Sequence, residues 1–200
     1  MDARADLFGP GSVAISRYVD ILANRGIEWG LIGPREGDRL WERHVLNSVA
    51  AAELFPTGAS VVDVGSGAGL PGIPLAVLRP DLRVTLLESL LRRVNFLELA
   101  VDELGLAERV RVVRARAEEH HETYDVVTCR AVAPLPRLVD WCEPLLARSG
   151  RLVALKGSSA ADELAGAAGA LRKRKLRGSL HELAVPGTDE TTWVIELGRV

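Results

Sequence analysis

The sequence predicts an α/β fold in which a mostly parallel sheet follows an N-terminal helical segment. From residue 57 onward, short apolar runs of strand length alternate with longer amphipathic runs of helical length. This alternation is typical of a parallel sheet with helices on both faces. The last two strand-like runs are separated only by a turn, so they must pair as an antiparallel hairpin. Before Pro56, apolar residues recur only at helical spacing.

The N-terminal part is predicted to contain two helices joined by a turn-rich stretch. Residues 12–25 place Ile15, Val19 and Leu22 on one helical face, and Gly26 ends the pattern. Residues 30–37 are rich in turn formers, and residues 39–55 again have a helical period. We therefore divide the chain into an N-terminal helical segment, residues 1–56, packed on the core, and a second domain, residues 57–200.

The second domain is predicted to follow one strand–helix order throughout. A parallel sheet that ends in an antiparallel hairpin is typical of the class I S-adenosylmethionine methyltransferase (Rossmann-like) fold. A dinucleotide dehydrogenase would continue with another crossover helix. The predicted strands are residues 60–64, 83–88, 110–114, 124–129, 151–156, 176–185 and 191–197, and the predicted helices are residues 70–78, 90–104, 136–147 and 160–173.

Composition indicates a soluble, cytoplasmic protein with a sizeable core. Hydrophobic residues make up 48% of the 200 residues, and no apolar run is long enough to span a membrane. Residues 1–11 lack the apolar stretch of a secretory signal. The formal net charge of −2 argues against non-specific nucleic-acid binding, although residues 92–93, 109–116 and 172–177 carry basic clusters that are also typical of a solvated surface. His120 and His121 are interpreted as a solvated turn, and the histidines are not spaced as metal ligands.

A glycine-rich loop follows the first predicted strand. It reads Asp63-Val-Gly65-Ser-Gly67-Ala-Gly69-Leu70. Such glycines let a ligand approach bare backbone, but the dinucleotide fingerprint would require glycine where the chain has Leu70. S-adenosylmethionine has no phosphate to bind at a helix N-terminus, and Pro71 removes one amide there. The alternative is a purely structural turn between strand and helix.

Two acidic positions follow the next two strands in the order that an adenosyl cofactor requires. Glu88 ends the second strand, 23 residues after Gly65, where a carboxylate can accept hydrogen bonds from both ribose hydroxyls. Its alternative role is to cap the following helix. Ala117 and Glu118 follow the third strand, in the loop that flanks adenine in this fold, although Glu118 alone could be a solvated charge. The three elements together predict an S-adenosylmethionine site.

Several segments resemble the bacterial 16S rRNA guanine-N7 methyltransferases, the RsmG-type or glucose-inhibited division protein B family. The combination of Gly-Leu-Pro-Gly-Ile-Pro, Arg-Ala-Val-Ala-Pro-Leu and Leu-Lys-Gly is specific to that family. The matching segments span most of residues 12–157. They are residues 42–48, 63–74, 86–89, 95–97, 124–135 and 150–157.

The resemblance implies methyl transfer from S-adenosylmethionine to N7 of a specific guanine in 16S rRNA. The implied partner is 16S rRNA or the small ribosomal subunit, with no membrane association, and we expect a monomer. Many family members have aspartate at Asn47 and Asn-Leu-Thr at residues 30–32, where this chain reads Gly-Leu-Ile. The implied site comprises Gly65, Gly67, Gly69, Leu70, Glu88, Ala117, Glu118 and Arg130 for the cofactor, Arg43, Asn47 and Lys156 for RNA, and Arg130 and His44 as catalytic residues.

Guanine N7 carries an in-plane lone pair and no proton, so this chemistry needs no general base. Catalysis should come mainly from alignment of the two reactants. Arg130 could contact a phosphate, guanine O6 or the cofactor carboxylate, whereas His44 could be a structural histidine. The rival functions are a cytosine methyltransferase with Cys129 as nucleophile, which requires an activated thiolate, a non-catalytic RNA-binding module, and a dinucleotide dehydrogenase.

Overall fold

Seven strands form one sheet whose order places the first strand near the centre. The computed structural model describes residues 3–200; Met1 and Asp2, part of the stretch predicted not to be a secretory signal, lie outside it. The order is β3-β2-β1-β4-β5-β7-β6, parallel except for β7. The strands are β1 (Ser60–Val64), β2 (Arg83–Glu88), β3 (Val110–Arg114), β4 (Tyr124–Arg130), β5 (Leu146–Lys156), β6 (Leu176–Ala184) and β7 (Thr191–Arg199).

Helices cover both faces of this sheet. On one face, α3, α4 and the N-terminal helices pack around residues such as Ile73 and Phe96. On the other face, α5 and α6 bury residues such as Leu138 and Leu171. No helix within residues 3–200 has the length and apolar character needed to span a membrane. The helices are α1 (Ser12–Ile21), α2 (Asn47–Val49), α3 (Gly72–Leu78), α4 (Leu91–Glu103), α5 (Leu135–Cys142) and α6 (Ala160–Lys173), with 3-10 turns at Ala3–Gly11, Pro34–Arg39, Ala52–Leu54, Ala117–Glu119 and Glu143–Leu145 and π-helical turns at Leu22–Gly26 and Leu40–Leu46.

The N-terminal segment is fastened directly to the glycine-rich loop. Tyr18 on α1 is fully buried, and its hydroxyl donates a 2.7 Å hydrogen bond to the carbonyl of Ala68. Arg79, after α3, donates to the carbonyls of Ala52 (2.9 Å) and Phe55 (3.1 Å). The position of the loop therefore depends on residues far from it in the sequence.

The structure confirms the predicted fold and corrects several predicted elements. The bounds of β1, β2 and β3 agree with the prediction because each is a short run rich in β-branched and other apolar residues. Within residues 39–55, one helical run covers residues 40–49, π-helical to Leu46 and α-helical from Asn47, and a separate 3-10 turn follows at Ala52–Leu54. The helix predicted at residues 136–147 ends at Cys142, before Pro144, which cannot donate a helical hydrogen bond.

The fifth strand begins earlier than predicted, at Leu146 instead of residue 151. Tyr124 pairs with Leu146, but Val126 pairs with Arg151, so the register shifts between them. At Gly150 a β-carbon would lie 2.6 Å from the carbonyl oxygen of Tyr124, which explains why a glycine occupies this irregularity. Irregular pairing of this kind is set by the neighbouring strand and leaves no periodic signal in the sequence.

Replacement of Tyr18 by phenylalanine should destabilise the fold without changing its shape. The variant leaves the buried carbonyl of Ala68 without its donor, which costs about 1–2 kcal/mol of unfolding free energy. Val13→Ala is the matched control, because Val13 lies on the same helix and is 69% exposed. Urea denaturation of both variants measures the effect, and equal midpoints for the two would contradict it.

Candidate active site

The carboxyl ends of β1, β2, β3 and β4 surround a cavity of about 530 Å³, called here the first cavity. In an open parallel sheet, ligands bind at this edge, where the strand order reverses. The reversal here lies between β1 and β4. Five of the predicted site residues line the wall: Gly65, Glu88, Ala117, Glu118 and Arg130.

Gly65 provides a close approach of backbone to the first cavity. Its φ is +69°, and its amide donates a 2.8 Å hydrogen bond to the carbonyl of Leu87. A β-carbon at this position would lie 3.1 Å from Cγ2 of Val132, which lines the same cavity. Any larger residue would therefore narrow the cavity, whereas the bare backbone leaves room for a ligand.

The carboxylate of Glu88 binds backbone amides at the edge of the first cavity and does not cap α4, whose first turn receives no side-chain cap from the described part of the chain. Its Oε1 accepts hydrogen bonds from the amides of Ser89 (2.8 Å) and Leu90 (3.0 Å), just before α4. Its Oε2 accepts from the amide of Gly67 (3.1 Å) and lies 3.4 Å from Arg93 Nη1. A carboxylate has about four lone-pair positions. Three amides and the long contact with Arg93 occupy them, so a ligand hydroxyl would take the place of Arg93. Glu88 is 3% exposed but lines the first cavity, so a ligand there can reach it.

The remaining loop residues support the cavity wall without being part of it. Gly67, Gly69 and Leu70 do not form part of the cavity wall. Gly69 is packed so closely that a β-carbon would lie 2.4 Å from Ile73 Cδ1, and Leu70 is buried in the core. We therefore assign these residues to the conformation of the loop, with Gly67 acting through its hydrogen bond to Glu88.

Asp63 leaves one buried oxygen without a partner next to this loop. Its Oδ2 accepts a 2.9 Å hydrogen bond from the amide of Gly72, while Oδ1 is buried and has no partner. Burial raises the pKa of Asp63 to about 7. An unpaired acceptor of this kind is costly in a folded protein, but Asp63 is fully buried and lines neither cavity, so its oxygen is out of reach of a ligand there. Cavity, glycine cradle and donor set fit an adenosyl cofactor without it.

A second cavity of about 520 Å³ adjoins the first. Both are lined by Arg130, Ala131 and Val132, which end β4 and follow it. Ala131 has a φ of +52°, a conformation that is costly for a residue with a β-carbon and that concentrates at functional sites. The second cavity brings together the predicted RNA-binding residues Arg43, Asn47 and Lys156.

Arg130 is bound to the N-terminal segment, not to a carboxylate. Nη1 donates to the carbonyl of His44 (3.0 Å) and to Oγ of Ser48 (3.3 Å), and Nη2 donates to Nδ1 of His44 (2.7 Å). Of the five N–H groups of an arginine, one on Nε and one on Nη2 have no protein acceptor within residues 3–200. Partial burial lowers the pKa of Arg130, which nevertheless remains a cation.

Sequence reasoning did not identify Glu36 as part of this site. Its Oε2 lies 2.9 Å from Nε2 of His44, and its Oε1 lies 3.2 Å from Nη1 of Arg43. Glu36 lies in the Pro34–Arg39 turn, within the stretch that the sequence marked only as turn-rich. The one available signal was an acid placed seven and eight residues before two basic site residues.

Lys156 is already engaged within the protein. Its ammonium donates to the carbonyl of Ala133 (2.9 Å) and to Oε2 of Glu163 (2.8 Å). Although partial burial opposes the shift, hydrogen bonds from Lys156 and from the amide of Leu135 hold the pKa of Glu163 below its usual value. Lys156 therefore fixes the wall of the second cavity, and its charge is largely neutralised there.

The other sequence candidates lie outside the two cavities or are buried. A hydrogen bond with Cys142 and full burial raise the pKa of Cys129 well above its usual value, which excludes an activated thiolate. The interpretation of His120 as solvated is wrong: it is buried and bonded to the hydroxyl of Tyr124 at 2.7 Å, whereas His121 is exposed.

The structure also separates the basic clusters. Arg93 and Arg116 line the first cavity. Arg111 pairs with Glu122, and Arg174 pairs with Asp140 and Glu143 away from both cavities.

The fold is shared with solved methyltransferases. The S-adenosylmethionine-dependent methyltransferase SibL aligns with a TM-score of 0.62 at 19% identity, over 82% of this chain and 57% of that chain. The precorrin-6y C5,15-methyltransferase of Geobacter metallireducens aligns with a TM-score of 0.57 at 17% identity, over 86% and 92%. Fold, glycine loop and cavity together define a class I S-adenosylmethionine-dependent methyltransferase.

Sequence comparison assigns the chain to a particular family of that class. Residues 12–185 match the family model GidB, rRNA small subunit methyltransferase G. The rRNA small subunit methyltransferase G of Thermobifida fusca is 56% identical over 82% of this chain and 69% of its own length. The Salinispora arenicola protein of the same name is 51% identical over 98% and 85%. The chain belongs to this family, which confirms the resemblance.

Gly67→Val should weaken cofactor binding through backbone strain. The sequence suggests crowding of the loop, but a β-carbon at Gly67 meets only the carbonyl of Gly65, at 3.8 Å. The cost arises from the φ of +59°, which a β-branched residue avoids. Relief of that strain moves the amide that binds Glu88, and a penalty of about 1.4 kcal/mol would lower affinity tenfold.

Gly58→Val is the matched control for this substitution. Gly58 has a φ of +71°, has open space around its β-carbon and precedes β1 at the opposite edge of the sheet. Both variants should lose stability, but only Gly67→Val should bind S-adenosylmethionine more weakly by isothermal titration calorimetry. Normal affinity of a folded Gly67→Val protein would remove the loop from the site.

Proposed function

We propose that this chain transfers a methyl group from S-adenosylmethionine to N7 of a specific guanine in 16S rRNA. The observation that carries the proposal is the pair of adjoining cavities that share Arg130, Ala131 and Val132. One has the features of an adenosyl site, and the other collects basic and amide side chains. The family is named for methylation of small-subunit rRNA, and two ligands bound side by side are what direct methyl transfer needs.

The first cavity would hold S-adenosylmethionine. Glu88 would accept a hydrogen bond from the ribose, Gly65 would let the ligand lie against the backbone, and Ala117 and Glu118 would flank the adenine. Gly67, Gly69 and Leu70 would maintain the loop. When bound, the cofactor supplies an electrophilic methyl group on a sulfonium. Arg130, at the border between the cavities, has a free N–H edge with which to hold the cofactor carboxylate or the base.

The second cavity would hold the guanine. Arg43 and Asn47 form the part of its wall that comes from the N-terminal segment, where a guanidinium and an amide can bind phosphate or base edges. Lys156 lines the opposite side and acts through Glu163 to keep the wall in place. Because N7 has no proton to lose, no residue has to act as a base. His44 would contribute to catalysis by orienting Arg130.

We propose a cytoplasmic monomer whose partner is 16S rRNA or the small ribosomal subunit. The exposed guanidinium of Arg43 and the arginines beside the first cavity can bind phosphates, and such binding weakens with salt. Residues 1–56 act in this proposal as an RNA-side segment packed on a catalytic domain formed by residues 57–200. The directional contacts between Arg130 and His44 support the packing of these two parts against each other.

Mass spectrometry of 16S rRNA tests the proposal. A strain that lacks the gene should lose one 7-methylguanosine, and a plasmid copy should restore it. The purified protein should then methylate small subunits or 16S rRNA from the deletion strain but not from the parent. Free guanosine should be a very poor acceptor. An unchanged modification pattern in the deletion strain would overturn the proposed substrate.

Arg130→Ala should reduce turnover by roughly tenfold or more, equivalent to about 1.4 kcal/mol in the barrier. It should also lower the melting temperature, because it removes the donors of His44 and Ser48. Arg151→Ala is the matched control: Arg151 lies in the middle of β5, opposite Val126 of β4, and pairs with Glu196 away from both cavities. Single-turnover rates measured well below both melting temperatures separate the effects, and a wild-type rate for Arg130→Ala would remove it from the site.

A further inference from the structure

The carboxylate of Glu36 contacts two basic site residues at once. Oε1 faces Arg43, which is half exposed at the second cavity, and Oε2 faces His44, whose side chain is 12% exposed. Through His44, the same carboxylate is connected to Arg130 at the border of the two cavities. Glu36 itself lines neither cavity, so its contribution would have to act through these neighbours.

The contacts of His44 determine which of its nitrogens carries the proton. An arginine N–H can only donate, so Nδ1 of His44, 2.7 Å from Arg130 Nη2, must be the acceptor. In the neutral ring, the proton then lies on Nε2 and is donated to Oε2 of Glu36 at 2.9 Å. The opposite tautomer would direct an N–H at the guanidinium and leave Glu36 facing a lone pair. A partner on one ring nitrogen thus fixes the role of the other.

The surrounding charges favour this neutral state. Burial, followed by the nearby charge of Arg130, lowers the pKa of His44, and Glu36 opposes that shift. The hydrogen bond from His44 is the largest influence on Glu36 and holds its pKa below the usual value. Burial opposes this shift, and the charges of Arg43 and Arg39 add to it. Around Arg130 the other ionisable groups are Tyr18 and Asp63.

We propose that Glu36 is a positioning residue for Arg130. By accepting the Nε2 proton of His44, Glu36 keeps Nδ1 available to bind one side of the guanidinium, so that the N–H groups without a protein acceptor keep a fixed direction toward the ligands. Its other oxygen binds Arg43 and so also holds that guanidinium in place at the second cavity. The kinetic part of this inference rests on the proposed methyl transfer, whereas the tautomer does not.

The tautomer of His44 can be measured without any activity. Imidazole ¹⁵N–¹H correlation spectra distinguish Nε2–H from Nδ1–H rings, and a His44→Gln spectrum assigns the signal among four histidines. Wild type and Glu36→Gln should both show the Nε2–H ring, because the glutamine carbonyl still accepts. Glu36→Ala removes the acceptor that holds the ring of His44 against Arg130, so the ring should leave Arg130 part of the time and show a mixture of tautomers. Asp38→Ala is the matched control, an exposed acid on the same turn, and should match wild type.

The kcat and the pH profile of the Glu36 variants should separate the effect of its hydrogen bond to His44 from the effect of its negative charge. We expect Glu36→Ala to lose roughly tenfold in kcat, the low end of what removal of a histidine's outer partner costs in metal sites. Glu36→Gln should retain most of the wild-type kcat. As pH falls, protonation of Nδ1 removes the acceptor of Arg130, so activity declines on the acid side. The carboxylate of Glu36 raises the pKa of His44, and both variants lack it. The pH at which activity declines should therefore be lower in each of them than in wild type, but unchanged in Asp38→Ala.

A single Nε2–H ring in Glu36→Ala, or a tautomer mixture in Glu36→Gln equal to that in Glu36→Ala, would overturn the inference. So would a wild-type kcat and pH profile for Glu36→Ala in an active enzyme. Should Glu36→Ala fail to fold, the spectrum and acid limb of Glu36→Gln decide alone. Absence of N7 methylation by the wild type would instead refute the proposed function, and the spectra would still decide the role of Glu36.

Discussion

The hydrogen bonds from Arg130 to the turn between His44 and Ser48 are the interaction on which the site depends. Apolar packing brings the N-terminal segment against the sheet, but the hydrophobic effect has no preferred direction. Hydrogen bonds do have one, and the three from Arg130 tie the end of β4 to the residues that line the second cavity. Arg130 therefore fixes the second cavity relative to the end of β4, in addition to the contacts that Tyr18 and Arg79 make elsewhere between the two parts.

The choice of acceptors around Arg130 has a consequence for its chemistry. A partly buried cation is often paired with a carboxylate, and the pair then has little charge left to offer. Arg130 is held by a carbonyl, a hydroxyl and a neutral imidazole, while the carboxylates of Glu36 and Asp63 act from further away. Three of its five N–H groups are satisfied, but its charge is not neutralised. The guanidinium thus stays attractive to an anionic or electron-rich ligand.

Local sequence signals predicted the parts of the molecule that local physics determines. β1, β2 and β3 are short runs rich in β-branched and other apolar residues, the glycine loop follows β1, and Glu88 ends β2, so each could be placed from its neighbours alone. The start of β5 depends on its register against Tyr124, and the pairing of Lys156 with Glu163 depends on how α6 packs. Glu36 lies in a segment without periodicity. Contacts of this kind arise only when distant parts of the chain meet.

The cofactor side of the site is more tightly constrained by backbone contacts than the N-terminal segment that lines the second cavity. The carboxylate of Glu88 accepts hydrogen bonds from backbone amides of the loop and of the residues that follow β2. These bonds constrain which residues can occupy the loop and position 88. The departures from the family pattern, Asn47 and residues 30–32, both fall in the N-terminal segment, and Asn47 lines the second cavity. Since that segment meets β4 through Arg130, a side chain on the second cavity can vary without disturbing Glu88. Recognition of the acceptor can thus change while the binding of the cofactor is kept.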